Sequence, residues 1–212
     1  MWAPKIGEGE PLGEELSVSA QVETIIDVDI HNRNKQTVFW RGILIAPVLV
    51  FIASFGQAAD WGWGAAGVIA IPVVLTLLFR GVYPSYVLTF NHAMIELMNR
   101  ALVYLFLLTD EYPSIERNPR VAVIFPDIKG GTSLNRWLPL VKWFLAIPLY
   151  IVGFFYSLAA VLVSIIAWIQ TFLTGEYPES SLKIVLGSIA YWNRVFGYCV
   201  LLVTDEYPSF SL

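Results

Sequence analysis

Four polar side chains that could take part in chemistry lie together, close to Asn91, in the largely apolar stretch 86–108. His92, Glu96 and Arg100 are spaced four apart, so they share one face of a helix, and Asn99 lies beside them. A histidine here could ligate haem or bond a quinone if an apolar cleft adjoined it, and Arg100 could pair with lipid phosphate or with Glu96. We favour the simpler interpretation, in which the four residues form the polar face of a helix at the membrane surface.

Two of these four residues recur in the second half of the chain, where Asn193-Arg194 repeats Asn99-Arg100. The positions that correspond to the histidine and the glutamate are apolar there, so neither belongs to a repeated design. We expect the Asn-Arg pairs to have a structural or lipid-binding role, and we expect no catalytic residue, metal site or cofactor. The candidate lipid- or ligand-binding residues are therefore His92, Glu96, Asn99, Arg100, Asn193 and Arg194.

An internal repeat extends on both sides of the Asn-Arg pairs. The matched segments, given for the first half and then for the second, are 41–47 with 142–148, 81–84 with 175–178, 109–114 with 204–209 and, more loosely, 25–30 with 123–128. Because the matches occur in the same order, the sequence predicts two tandem copies of one unit.

The composition indicates a membrane protein. Hydrophobic residues make up 57% of the chain and charged residues only 14%, whereas soluble domains carry about 25% charged residues. The apolar stretches 39–79 and 137–173 are each too long for one span of roughly 20 residues and suit two short ones. We therefore predict an all-α membrane protein with one transmembrane hairpin in each copy, turning at 56–64 in the first and near 153–157 in the second.

The third helix of each copy, 86–108 and 182–203, is predicted to be amphipathic and to lie on the membrane surface. A charged residue at the centre of a spanning helix costs roughly 2.5–3.5 kcal/mol, and a surface position avoids that cost. Tyr-Pro turns bound each helix, as expected if both of its ends meet the same interface. The predicted interfacial anchors are Tyr83, Tyr112, Tyr177, Tyr207, Trp137 and Trp143.

The predicted organisation has four parts. They are a polar, acidic segment at 1–38, the first repeat at 39–114, a cytoplasmic linker at 115–136 and the second repeat at 137–212. Short strand-like segments precede the two hairpins. Two roles for the acidic segment stay open, namely recruitment of a soluble partner and pairing of a short strand with residues 121–125.

The positions of the basic residues predict an orientation. Lysine and arginine are absent from both predicted hairpin tips but occur in the polar segments. Since basic residues concentrate in cytoplasmic loops, both termini, the linker and both surface helices are predicted to be cytoplasmic. Each copy would cross twice, which makes the copies parallel. The start of the chain lacks the features of a secretory signal, and a net charge of −4 argues against nucleic acid as a partner.

Several motifs of the second half resemble those of one bacterial family. They are LNRWLPLVKW at 134–143, LAIP at 145–148, the Thr-Gly-x-Tyr-Pro turn at 174–178 and TDEYPSFSL at 204–212. The chain resembles the family called domain of unknown function 4389, closely over 121–212 and more loosely over 21–116. The resemblance implies a multi-pass protein of the bacterial inner (cytoplasmic) membrane, often duplicated and without an established activity.

Two positions depart from what the resemblance implies. Leu149 stands where the family often has a histidine, and Ser209 stands where a second proline is common. If that histidine has a chemical role in the family, this chain lacks it.

Without a catalytic constellation, the sequence favours a binding or structural role. The first hypothesis is a non-catalytic accessory or scaffold subunit of a larger membrane protein complex, or of a homo-oligomer, in contact with membrane lipids. The alternative is a lipid- or small-molecule-binding component of an oligomeric transporter or channel. A membrane enzyme has the least support, because no nucleophile, phosphate loop or metal spacing is present.

Overall fold

The structure, a computed structural model, describes residues 20–28, 30–31, 33–60, 64–65, 68–116 and 120–212. Half of the predicted acidic segment 1–38 lies outside these residues, as does part of the predicted tip at 56–64. The described part is mostly helical. Its elements in chain order are β1 (Glu23–Ile26), α1 (Lys35–Leu44), α2 (Ala46–Asp60), β2 (Gly64–Ala65), β3 (Val68–Ile69), α3 (Ile71–Arg80), α4 (Ser85–Leu105), β4 (Val121–Ile124), α5 (Leu138–Leu145), α6 (Ile147–Thr174) and α7 (Glu179–Cys199).

Two stretches of helix are long and apolar enough to cross a membrane, considering the described residues alone. They are Lys35–Ser54, which comprises α1 and the start of α2, and Ile147–Thr174, which is α6. The second residue of α2 and of α6 is a proline, which has no backbone N–H to donate. This explains why one residue that belongs to neither helix separates α1 from α2 and α5 from α6. These helices agree with the prediction of a membrane protein at the level of composition and length.

The predicted turn near residues 153–157 is wrong, because α6 continues unbroken through it. Gly153 has another role there. A Cβ atom at this position would lie 2.7 Å from Cζ2 of Trp192, so the glycine permits the indole ring of α7 to pack against the α6 backbone. The second half therefore has α6, one unbroken helix of 28 residues, where the sequence predicted a hairpin.

In the first half, α2 and β3 contact different parts of α4. α2 packs against the C-terminal half of α4, around Ala101. The backbone of Ile69 in β3 bonds the side chain of Asn91, in the N-terminal half of α4, and α3 ends at Arg80, just before α4 begins. The segments α2, β3 and α3 therefore lie one after another along α4, and α6 lies along α7 in a similar way.

The two glycines in the long helices provide a test of this packing. Replacing Gly153 with alanine should lower the free energy of unfolding by about 1–3 kcal/mol, because the added methyl group overlaps the Trp192 ring. Gly42→Ala is the matched control, since a Cβ there meets nothing within 4 Å; this change should stabilise the protein by about 0.5–1 kcal/mol. Denaturant titration in detergent measures both, and equal effects would contradict the close contact of α6 with α7.

The strands β1 and β4 pair in antiparallel register, with Glu23 opposite Ile124 and Ile26 opposite Val121. This confirms the alternative in which the segment before the first helix pairs with residues 121–125. β2 and β3 form a separate pair of two residues each. The β1–β4 pair contacts α4 through β4 and α7 through β1, so it joins the two halves of the chain.

The helices that were predicted to lie on the membrane surface are α4 and α7, each of 21 residues. The polar stripe of α4 does not face lipid headgroups, because Glu96, Asn99 and Arg100 are each at most 5% exposed. That part of the prediction is wrong. The polar groups are paired within the protein by β4, by α7 and by the segment after α4, and these partners are not visible in the sequence of one helix.

Candidate functional site

Asn99 and Asn193 form a reciprocal contact between α4 and α7. Nδ2 of Asn99 donates to Oδ1 of Asn193 at 3.1 Å, and Nδ2 of Asn193 donates to Oδ1 of Asn99 at 2.8 Å. Asn99 also donates to the Ile95 carbonyl, and Asn193 donates to the Thr24 hydroxyl. Each buried amide therefore has its partners within the chain, and the pair joins the two halves.

The two repeated arginines hold the segments that follow α4 and α7. Nε of Arg100 donates to the Ser114 carbonyl at 3.1 Å, and Nη1 lies 3.9 Å from the Glu96 carboxylate. Arg194 donates to the Ser211 carbonyl. Arg100 is only 4% exposed, so its guanidinium group has almost no surface with which to meet a lipid phosphate.

His92 attaches α4 to the strands. Its Nε2 atom lies 2.6 Å from the Val123 carbonyl in β4 and 3.7 Å from the Glu96 carboxylate, and its ring meets that of Phe125 edge to face. A carbonyl only accepts hydrogen bonds, so Nε2 carries the hydrogen. Within the part of the chain that the structure describes, no cluster of three or more histidine, cysteine, aspartate or glutamate residues could hold a metal ion.

A cluster of two arginines and one carboxylate lies beyond the end of α4. Oδ1 of Asp110 is 2.5 Å from Nη2 of Arg41 and 3.2 Å from Nη2 of Arg33. Arg41 also donates to the Tyr104 carbonyl, and its guanidinium carbon lies 4.4 Å from the centroid of the Tyr104 ring. Both arginines are buried, so the Asp110 carboxylate pairs with two desolvated cations.

The second half contains a matching cluster beyond the end of α7. Nζ of Lys142 lies 2.7 Å from Oδ1 of Asp205, donates to the Thr204 carbonyl and lies 4.9 Å from the centroid of the Tyr198 ring. In the predicted repeat, Lys142 is equivalent to Arg41, and the two Asp-Glu-Tyr-Pro motifs are equivalent to each other. The sequence did not predict that the basic residue of each half contacts the aspartate of the same half. One feature of the sequence could have indicated this contact. Each half has one basic residue near the start of its apolar stretch, and each half also has one aspartate in its Asp-Glu-Tyr-Pro motif.

The same aspartates also bond the starts of the long helices. The Asn34 N–H donates to Oδ2 of Asp110 at 2.9 Å, and the Asn135 N–H donates to Oδ2 of Asp205 at 2.5 Å. The Asn34 side chain in turn accepts hydrogen bonds from the first backbone donors of α1. Each aspartate thus connects the segment after α4 or α7 with the segment that precedes α1 or α5.

The predicted interfacial tyrosines and tryptophans divide into two groups. Tyr83 and Tyr177 are only 3% exposed, so the prediction is wrong for these two. The Tyr83 hydroxyl donates to the Leu201 carbonyl, and burial raises the pKa of both phenols to about 12. The exposed group consists of Tyr112, Tyr207, Trp137 and Trp143.

An apolar cleft adjoins the Arg41 cluster. It lies between α1, the end of α4 and α6, and its volume of about 520 Å³ falls within the roughly 300–1,000 Å³ of small-molecule sites. Apart from Arg41 and Ser164, the lining side chains are apolar, and Gly42 leaves the wall open on the α1 side. The corresponding position in α5 is Trp143, so the two halves differ here.

Comparison with known proteins finds a family model that matches most of the second half. Residues 137–211 match the model of the family described as Domain of unknown function (DUF4389). The matched stretch contains α5, α6, α7 and the Lys142–Asp205 contact, and the match confirms the resemblance for this part of the chain. No match was found among the curated proteins or among the solved structures.

Proposed function

We propose that this chain, whose residues 137–211 match DUF4389, is a non-catalytic accessory or scaffold subunit of a larger membrane protein complex. The observation that carries the proposal is that polar residues common to both halves contact one another inside the chain. The Asn99–Asn193 contact and the Lys142–Asp205 contact are examples. Side chains engaged in this way stabilise the structure, which leaves the outer surface as the part that acts on other molecules.

We further propose that the two halves are tandem copies that pack about an approximate two-fold axis. The asparagine pair supports this, since two equivalent residues bond each other reciprocally. The strand register also supports it. When 25–30 is aligned with 123–128, the pairing is self-complementary, with Thr24 opposite Val123 and Ile25 opposite Ala122.

The proposed location is the cytoplasmic membrane of a bacterium, with both termini in the cytoplasm. The distribution of basic residues in the sequence supports the orientation. The exposed side chains of the long helices support the membrane location, because Phe155 and Ile166 in α6 are both 61% exposed. Such side chains need lipid or a partner protein around them.

Site-specific photo-crosslinking in cells would test the scaffold proposal. A photoreactive amino acid at Phe155 or at Ile166 should form an adduct with the same protein, of one fixed mass, because both positions lie on the exposed part of α6. Glu23, an exposed position on β1, is the control and should not form that adduct. The sizes of the adducts are read from denaturing gels and identified by mass spectrometry.

Purification of the tagged chain from the same cells provides a second test of the scaffold proposal. After extraction in a mild detergent, the tagged chain should migrate as a discrete complex with a fixed ratio to its partner. If it emerges as a monodisperse single chain, and the α6 positions crosslink only to lipid, the scaffold proposal is wrong.

A further inference from the structure

The helix α7 contacts the strands with one face and α6 with the opposite face. Asn193 donates to the Thr24 hydroxyl beside it in β1. Tyr191, two residues earlier, donates to the Leu149 carbonyl in α6 at 2.8 Å. Residues two apart on a helix point about 200° apart, so α7 lies between β1 and α6.

The helix α4 lies between β4 and α2 in the same way. His92 contacts the Val123 carbonyl of β4, whereas Ala101 packs against α2. Nine residues separate the two positions, which is two and a half helical turns, so they lie on opposite faces. The protein thus has three layers. The first is the β1–β4 pair (the strand layer), the second is the α4–α7 pair, and the third consists of the long helices (α1–α2, α3 and α5–α6).

The two outer layers present different surfaces. Charged side chains on or next to the strands are exposed, namely Glu23, Asp27, Arg120 and Asp127. The long helices instead expose large apolar side chains, each 61–76% exposed, at Ile43, Val50, Phe79, Phe144, Ile166 and Leu173. The strand side therefore carries exposed charges beside the two exposed isoleucines Ile25 and Ile124, whereas the side of the long helices is apolar throughout these positions.

This layering conflicts with an upright crossing of the membrane by α6. The helix α7 lies along α6, so it would cross as well, and the strands packed against α7 would enter the hydrocarbon core. Open strand edges do not occur there in contact with lipid, and a charged group such as Glu23 is strongly unfavourable at that depth. An orientation with the layers parallel to the membrane avoids both costs.

We propose that the protein enters one leaflet only, with the long helices in the acyl region and the strand layer in the cytoplasm. This inference rests on the membrane location proposed above. Apart from the part of α6 that contacts the proposed partner protein, the molecules that cover the apolar face are lipids with anionic headgroups, whose acyl chains also fill the cleft beside Arg41. The exposed cation Lys35 begins α1, and the exposed cation Arg136 lies two residues before α5; exposed Trp40 and Trp137 belong to the same two segments, as expected where a protein meets anionic headgroups.

Single-cysteine labelling of the full chain in membranes tests this proposal. Ser133 lies just before α5–α6 and Glu176 just after it, and both are exposed. Cysteines introduced singly at these two positions, with Cys199→Ser as background, are treated with a membrane-impermeant maleimide in spheroplasts and in inside-out vesicles. A one-leaflet orientation predicts labelling of both positions in inside-out vesicles and of neither in spheroplasts.

The controls separate failure of this proposal from failure of the membrane location. Ile166→Cys should be protected in both preparations and should react once detergent is added. The chain should also stay in the pellet after alkaline carbonate extraction; loss from the pellet would overturn the membrane location itself. Retention in the pellet, with Ser133→Cys and Glu176→Cys labelled from opposite sides, would show that the long helix crosses and would overturn the one-leaflet proposal.

Discussion

Replacing Asp110 with asparagine should lower the free energy of unfolding by about 3–5 kcal/mol. Asparagine keeps the size of the side chain and an oxygen that can accept the Asn34 N–H, but it removes the negative charge. Arg33 and Arg41 are 6% and 3% exposed, and an arginine cannot lose its proton to escape burial. Two desolvated cations would therefore face each other without the carboxylate that now lies between them. Chemical denaturation in detergent, followed by tryptophan fluorescence, measures the loss.

Asp205→Asn is the matched control in the second half. It removes the carboxylate from a single cation, Lys142, which keeps its hydrogen bond to the Thr204 carbonyl. A lysine can also become neutral when it is buried. We therefore expect a smaller loss, about 1.5–3 kcal/mol. Equal losses for the two variants would contradict the conclusion that Asp110 serves two arginines.

The local patterns were predictable because they depend on neighbouring residues. Tyr-Pro before each helix and Asp-Glu-Tyr-Pro after it were enough to locate α4 and α7 to within a turn. The pairing of residues 23–26 with 121–124 was considered because both segments are short and strand-like. Such signals repeat in the two halves, and this recurrence made them stand out from the apolar background.

The tertiary partners were not predictable from the same patterns. Gly153 was interpreted as part of a turn, since glycine often marks one, but here it accommodates the ring of Trp192. Glu96 and Arg100 were assigned to the membrane surface because burying a charge in lipid is unfavourable. The structure buries them in protein, where Ser114 and other groups bond them. The sequence of a single helix indicates only how its side chains suit lipid or water, and the interior of the protein is a third environment.

The asparagine pair provides the second large effect, and it tests the relation between the two halves. Asn99→Leu alone should lower the free energy of unfolding by about 2–3 kcal/mol, because leucine is similar in size but leaves the buried Asn193 amide without its partner. Asn193→Leu should lower it by a similar amount or more, since the bond to Thr24 is lost as well.

The double variant distinguishes a direct contact from two separate ones. Replacing both partners of a buried polar pair with apolar residues of similar shape leaves no unpaired polar group. The loss of unfolding free energy in the double variant, Asn99→Leu with Asn193→Leu, should therefore be smaller than the sum of the two single losses by about 0.5–3 kcal/mol. Denaturant titration of the four proteins, wild type included, yields this coupling energy. Additive losses would mean that the two amides do not meet. A positive coupling would support α4 and α7 as equivalent helices that recognise each other through the same residue.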